Sequence, residues 1–178
     1  MSSFGDLCRS RPKDSVLLIG DSMVRGIGVC LEKNSGICTK MAYGGAKIRD
    51  IEQTVSELGE KTESHIVVMV GTNDLKHDGS VQMIKKYESL FNEIKKHKFR
   101  KISVVGILER TDVGDFVNSR RLGVNLSLKT LCCENGFGFV EGKVGVELLG
   151  RDGLHLTKEG QDAMARVIFN HCKKNFLD

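Results

Sequence analysis

The sequence predicts an α/β fold, a three-layer α/β/α sandwich around a mostly parallel five-stranded sheet. Three observations carry that expectation. The apolar runs SVLLIG (15–20), HIVVMVG (65–71) and KISVVGIL (101–108) are unbroken, as strands covered on both faces are. Helical patterns separate them, and strand–helix alternation implies right-handed crossovers and helix layers on both sides of a parallel sheet. A chain of 178 residues suits one domain with a sizeable core.

In chain order, the first strand (15–20) leads into a helix over 22–33, and a shorter strand candidate, GICTKMA (36–42), into a helix over 46–58. The strand at 65–71 precedes a helix over 80–97, which buries Met83, Ile84, Tyr87, Leu90, Phe91 and Ile94 and turns its lysines outward. After the strand at 101–108 comes a helix over 116–134, then FGFVE (137–141) and a final helix over 157–174. Asp78 or Ser80 caps the third helix, Thr157 the fifth, and Gly136 takes the left-handed position after the fourth. No repeat or linker divides residues 15–178, and residues 1–14 read as an N-terminal leader.

Composition narrows the class. With 40% hydrophobic and 28% charged residues the chain is an ordinary globular protein. No apolar run nears the roughly 20 residues of a bilayer span, and the N-terminus lacks a secretory core, so a cytoplasmic location is expected. Six cysteines without a C-x-x-C pair fit neither a disulfide framework nor a zinc site and read as reduced, buried thiols. The net charge is +4, and its densest stretch, KKYESLFNEIKKHKFRK (85–101), is read as a solvated helix face.

Sites in such sheets collect beyond the carboxyl ends of the strands. The polar residues found there are Asp21-Ser22, Gly44-Gly45, Thr72-Asn73-Asp74, Glu109-Arg110-Thr111-Asp112 and the loop GRDGLHLT (150–157). Ser22 sits where a strand becomes a helix, beside unpaired backbone donors. A serine hydroxyl needs a base. Of five histidines, His155 alone has an aspartate, Asp152, three residues before it in a glycine-containing loop, the arrangement that orients a catalytic imidazole. Gly44-Gly45 offers a backbone N–H and Asn73 a side-chain amide for an oxyanion. Each feature alone also reads as a turn or a helix cap. Together they supply the parts of one acyl-transfer reaction. The spacing of GDSMVRGIG fits neither a dinucleotide fingerprint nor a phosphate loop.

Gly20-Asp21-Ser22 with Gly26, Gly44-Gly45, Gly71-Thr72-Asn73-Asp74 and Asp152-Gly153-Leu154-His155-Leu156, in that order, resemble the four sequence blocks of the SGNH hydrolases, or GDSL-like esterases. The resemblance spans about residues 15–170 and implies the SGNH/flavodoxin-like sandwich. It implies Ser22 as nucleophile, His155 as general base and Asp152 as its orienting acid, with Ser22 N–H, Gly45 N–H and the Asn73 amide as oxyanion donors. Gly45 is preferred to Gly44 because it directly precedes Ala46 at the next helix. Within the superfamily, the IGDSMVRGI wording is similar to the esterase domain of LINE-type (non-LTR) retrotransposon first-open-reading-frame proteins. Two departures, GILERTDVGD (106–115) in place of a proline-rich turn and Ala46 in place of an acidic residue, bear on the substrate.

No cofactor or metal is expected. The expected substrate is a carboxylic ester, a short acyl or acetyl ester or a phospholipid. Met23, Val24, Leu75, Leu108, Val113 and Phe116 are candidates for contact with the acyl chain, and Arg25 or Arg110 for contact with a phosphate or carboxylate. The alternative is an RNA- or membrane-associated binding module of a larger retrotransposon protein, with hydrolysis secondary. On that reading the partners are a membrane surface and nucleic acid bound through the parent protein.

Overall fold

The structure, a computed structural model, describes residues 15–35 and 38–176. The leader 1–14 with Cys8, and the first residues of the 36–42 strand, lie outside them. Five strands, β1 (Val16–Gly20), β2 (Cys38–Ala42), β3 (His65–Met69), β4 (Lys101–Val105) and β5 (Gly138–Val140), form one sheet in the order β2-β1-β3-β4-β5. Every pairing is parallel. The helices are α1 (Met23–Ser35), α2 (Ile48–Ser56), α3 (Ser80–Lys95), α4 (Asp115–Glu134) and α5 (Lys158–Phe176), with a 3₁₀ turn at Val146–Leu148.

The unbroken apolar strands have the expected cause: alternate residues feed two different cores. From β1, Leu17 and Ile19 join Ile66, Val68 and Val104 against α2, α3 and α4. Val16 and Leu18 join Val67, Met69 and Val105 against α1 and α5. Fully burying each of these side chains contributes about 1.5–3 kcal/mol. Two strands stop earlier than their apolar runs, at Met69 and Val105: Gly106 N–H makes a last bond to the Val140 carbonyl at 2.9 Å, and Val70, Gly71 and residues 107–108 lie beyond the paired strands while staying buried.

From β1 the chain goes to β2 on one side and returns to β3 on the other, so the carboxyl end of β1 is the topological switch point. Gly20 ends that strand, level with Ala42 of β2 and Met69 of β3. A side chain at Gly20 would overlap the Met69 carbonyl. The glycine of the GDS stretch therefore lets two strand ends close up beneath the serine.

Two expected caps form. The Thr157 hydroxyl accepts from Gly160 N–H at 3.1 Å, and Gly136 has φ +69° after α4. Neither Asp78 nor Ser80 caps α3. Gly79 holds that position without a side-chain bond, because Asp78 is drawn into an ion pair with Lys86. Cys132 and Cys172 are buried free thiols, Cys30 and Cys38 are half-buried, and Cys133 is exposed against expectation, since it falls on the outer face of α4. Among the described residues, no helix is long and apolar enough to cross a membrane.

Candidate active site

Asp21, rather than Ser22, caps α1. Its carboxylate Oδ1 accepts from Met23 N–H at 3.0 Å, and its carbonyl accepts from Val24 N–H at 3.2 Å. That leaves the Ser22 hydroxyl for the imidazole: Ser22 Oγ lies 3.0 Å from His155 Nε2. On the other side of the ring, His155 Nδ1 lies 2.6 Å from Asp152 Oδ2. The chain Ser22, His155, Asp152 spans 133 residues of sequence at its first contact.

Local geometry prepares the histidine. Asp152 Oδ1 accepts from Leu154 N–H at 3.1 Å and from His155 N–H at 3.0 Å, while Oδ2 meets the ring. Gly153, at φ +65°, makes the turn that folds the carboxylate back over its own backbone. The His155 side-chain bond, helped by the two amides, lowers the Asp152 pKa to about 2. A carboxylate so held selects the tautomer with its proton on Nδ1 and leaves Nε2 free to accept from serine.

Asp21 differs sharply in environment. It is 1% exposed, and its Oδ2 is buried without a hydrogen bond of good geometry. Burial raises its pKa to about 6, against the pull of the Met23 amide and of His155.

The second strand end supplies the turn Tyr43–Ala46. Tyr43 N–H bonds the Gly20 carbonyl at 2.9 Å, which seats the turn on β1, and Ala46 N–H closes it onto Tyr43 at 3.2 Å. Gly45 carries the positive φ, +72°, that this closure requires. Among the described residues no hydrogen bond occupies the Ser22 or Gly45 N–H. Asn73 reaches the same turn, its Nδ2 donating to the Ala46 carbonyl at 2.9 Å. An amide nitrogen has two protons, so one remains.

Beneath Asn73, Asp74 is fully buried. Its Oδ2 accepts from Ile48 N–H at 3.0 Å, and its Oδ1 pairs with Lys86 Nζ at 2.9 Å. Lys86 also pairs with Asp78. Burial works against the Lys86 charge, but the two carboxylates overcome it and hold its pKa above the ordinary value. Nothing in the sequence pattern marked Lys86, a residue on the half-exposed side of an amphipathic helix.

The expected substrate contacts fare differently. Met23, Val24 and Leu108 belong to one core and Leu75 to the other, each 5% exposed or less, because the turns that follow the strands fold inward there. Arg110 is 2% exposed. Its guanidinium is consumed by Asp112 and the Thr72 carbonyl, so it offers no charge to a ligand. Arg25 and Phe116 are exposed and Val113 half-buried. The basic stretch at the end of α3 leads into the start of β4, at the opposite end of the sheet from Ser22.

No protein-family model matches the chain, and no curated protein matches it by sequence. Solved structures do share its fold. A member of the lipolytic G-D-S-L protein family from Veillonella parvula aligns with a TM-score of 0.71 and 17% identity, over 88% of this chain and 96% of that one. A carbohydrate acetylesterase family member from Sinorhizobium meliloti gives 0.69 and 17%, over 89% and 99%. A catalytic mutant of an acetylxylan esterase from Geobacillus stearothermophilus gives 0.68 and 15%, over 89% and 94%.

Proposed function

We propose that this protein is a serine ester hydrolase of the SGNH type, with Ser22, His155 and Asp152 as its catalytic residues. One observation carries the reading: an unbroken hydrogen-bonded chain from Ser22 Oγ to His155 Nε2, at 3.0 Å, and from His155 Nδ1 to Asp152 Oδ2, at 2.6 Å. Its position at the topological switch point supports it, as does the sharing of this fold with esterases.

Ser22 Oγ attacks the ester carbonyl while His155 Nε2 takes its proton, and Asp152 stabilises the imidazolium. The carbonyl oxygen becomes an oxyanion, met by Ser22 N–H, Gly45 N–H and the remaining Asn73 amide proton. Each such donor contributes about 3 kcal/mol to barrier lowering. The imidazolium then protonates the leaving alcohol, and the tetrahedral adduct collapses to an acyl-enzyme. His155 next deprotonates water, which attacks the acyl carbon, and Ser22 leaves with the proton.

Short acyl groups suit this site best. The His155 and Asp152 side chains are 46% and 53% exposed, and Met23, Leu75 and Leu108 are committed to the cores rather than to walls around an acyl chain. The acetylesterases of similar fold favour the same choice. Arg25, exposed in the first turn of α1, is open to an anionic part of the substrate. The finer likeness to a retrotransposon-encoded esterase rests on the wording around Ser22, and the proposed chemistry does not depend on it.

Hydrolysis of p-nitrophenyl acetate by wild type and by Ser22→Ala tests the proposal. Loss of a triad nucleophile is expected to cost up to roughly a millionfold in turnover. A serine-directed phosphonate should label Ser22 in wild type alone. Equal hydrolysis rates in the two proteins would sink the reading.

A further inference from the structure

We infer that Arg110 and Asp112 form a positioning pair that sets the distance between the histidine loop and the Asn73 turn, an inference that rests on the esterase reading. Arg110 Nε donates to Asp112 Oδ1 at 2.8 Å and Nη2 to Asp112 Oδ2 at 2.7 Å, a two-pronged pair in which the guanidinium is buried and the carboxylate is partly open to solvent. The third guanidinium nitrogen, Nη1, donates to the Thr72 carbonyl at 2.9 Å, one residue before Asn73. Lysine cannot match that planar fork.

The backbone of the same short segment grips the histidine loop. Thr111 N–H and Asp112 N–H both donate to the Gly153 carbonyl, at 2.8 and 3.4 Å. Gly153 lies between Asp152 and His155, and a Cβ there would stand 2.5 Å from Thr111 Oγ1 and 2.7 Å from Asp112 N. Residues 150–155 make one other hydrogen bond to the rest of the described chain, that between His155 and Ser22. Position of the general base therefore depends on residues 110–112.

Asn118 of α4 holds the segment from behind. Its Nδ2 donates to the Arg110 carbonyl at 2.6 Å, and its Oδ1 accepts from Arg110 N–H at 3.3 Å. Lys76 adds a second cation to Asp112, at 3.3 Å. One side chain thus fixes the turn that presents Asn73, and two adjacent amides fix the loop that presents His155. Freed from the guanidinium, the two parts of the site would shift relative to each other, and a misplacement of about 1 Å costs on the order of a hundredfold in rate.

The test uses the whole chain and p-nitrophenyl acetate. Arg110→Met is expected to lower kcat about 10- to 100-fold with KM little changed, and Arg110→Lys to restore only part of it. Asp112→Asn, which keeps the side-chain shape, is expected to lower kcat in the same direction and covers the case in which Arg110→Met does not fold. Arg166→Met, which removes a remote exposed ion pair with Asp162, should leave kcat unchanged. In an Asn73→Ala background, Arg110→Met should cost less than it does alone, because its effect passes partly through Asn73. An unchanged kcat in Arg110→Met and Asp112→Asn, or full additivity with Asn73→Ala, overturns the inference.

Amide hydrogen exchange reads the grip without any substrate. Arg110→Met, or Asp112→Asn in its place, should speed exchange at Thr111 N–H while leaving α2 and β1 amides protected, and unchanged Thr111 exchange again overturns the inference. If wild type shows no Ser22-dependent hydrolysis, the esterase reading fails, and the exchange measurement still decides whether the pair holds the loop.

Discussion

Asp21 shows how one residue can serve position at a cost in stability. Its carboxylate caps α1 and so frees Ser22 for His155. Burial has raised its pKa from 3.8 to about 6. Between those values the folded state holds more protons than the unfolded chain, so this group's contribution to stability is fully present below the unfolded value and is lost as pH rises through about 6. At pH 7 the penalty is fully in force, on the order of 3 kcal/mol. Asp21→Asn keeps the oxygen that accepts from Met23 N–H and removes the buried charge. Urea denaturation should find this variant the more stable at pH 7, with the difference shrinking as pH falls toward 4, and a difference independent of pH would contradict the assignment. The neighbouring residues were legible in the sequence to different degrees. Ser22, Asn73, Asp152 and His155 could be picked out because their types follow strands and match the needs of one reaction. Met23, Leu75, Leu108 and Arg110 also follow strands, but whether a side chain there turns outward or inward depends on what packs above it.

At the level of elements, the loops after β1, β2, β3 and β4 and the loop before α5 are bound to one another rather than merely adjacent. Tyr43 joins the β2 exit to β1, Asp74 joins the β3 exit to the start of α2, and Thr111 joins the β4 exit to the histidine loop. Lys86 is the sole cation paired with the fully buried Asp74 among the described residues. Lys86→Met would leave that carboxylate buried without its counter-charge, which typically costs about 3–5 kcal/mol. Chemical denaturation of the variant should show that loss, together with a fall in kcat, because Asp74 ties the turn bearing Asn73 to the helix behind Gly45. Loss of stability under 1 kcal/mol would mean that Lys86 is only a surface ion pair. No local pattern distinguishes Lys86 from Lys85, since helical periodicity assigns a face but not a partner two elements away. The same holds for Asp78, whose cap signal was outweighed by a nearby ammonium.

Across the whole molecule the two ends of the sheet carry different chemistry. Opposite the candidate active site, His65 at the start of β3 and His171 of α5 share the Ser103 hydroxyl, at 2.9 and 3.0 Å. Burial, with lesser contributions from His171 and Lys101, lowers the His65 pKa from 6.5 to about 4. His171 is lowered as well, by burial and Lys174. For a base with a depressed pKa, the stability is present above the unfolded value and is lost as pH falls from 6.5 toward 4. Asp21 has the opposite slope over part of that range, so the effect is best read in Asp21→Asn. There, stability should fall by up to about 1.4 kcal/mol per pH unit on acidification, and adding His65→Gln should flatten the slope; an unaltered slope would place the acid sensitivity elsewhere. The sequence by itself determined the order of strands and helices, the two-faced burial of the sheet and which residues are candidates for an acyl-transfer site. These follow from periodicity and from functional-group chemistry, both of which are local. Only the tertiary structure decided which strand-end side chains stay free, that Asp21 rather than Ser22 caps the helix, and that the Arg110 guanidinium is spent on Asp112 and the Thr72 carbonyl. Those outcomes depend on distances between residues far apart in the chain, which packing alone fixes.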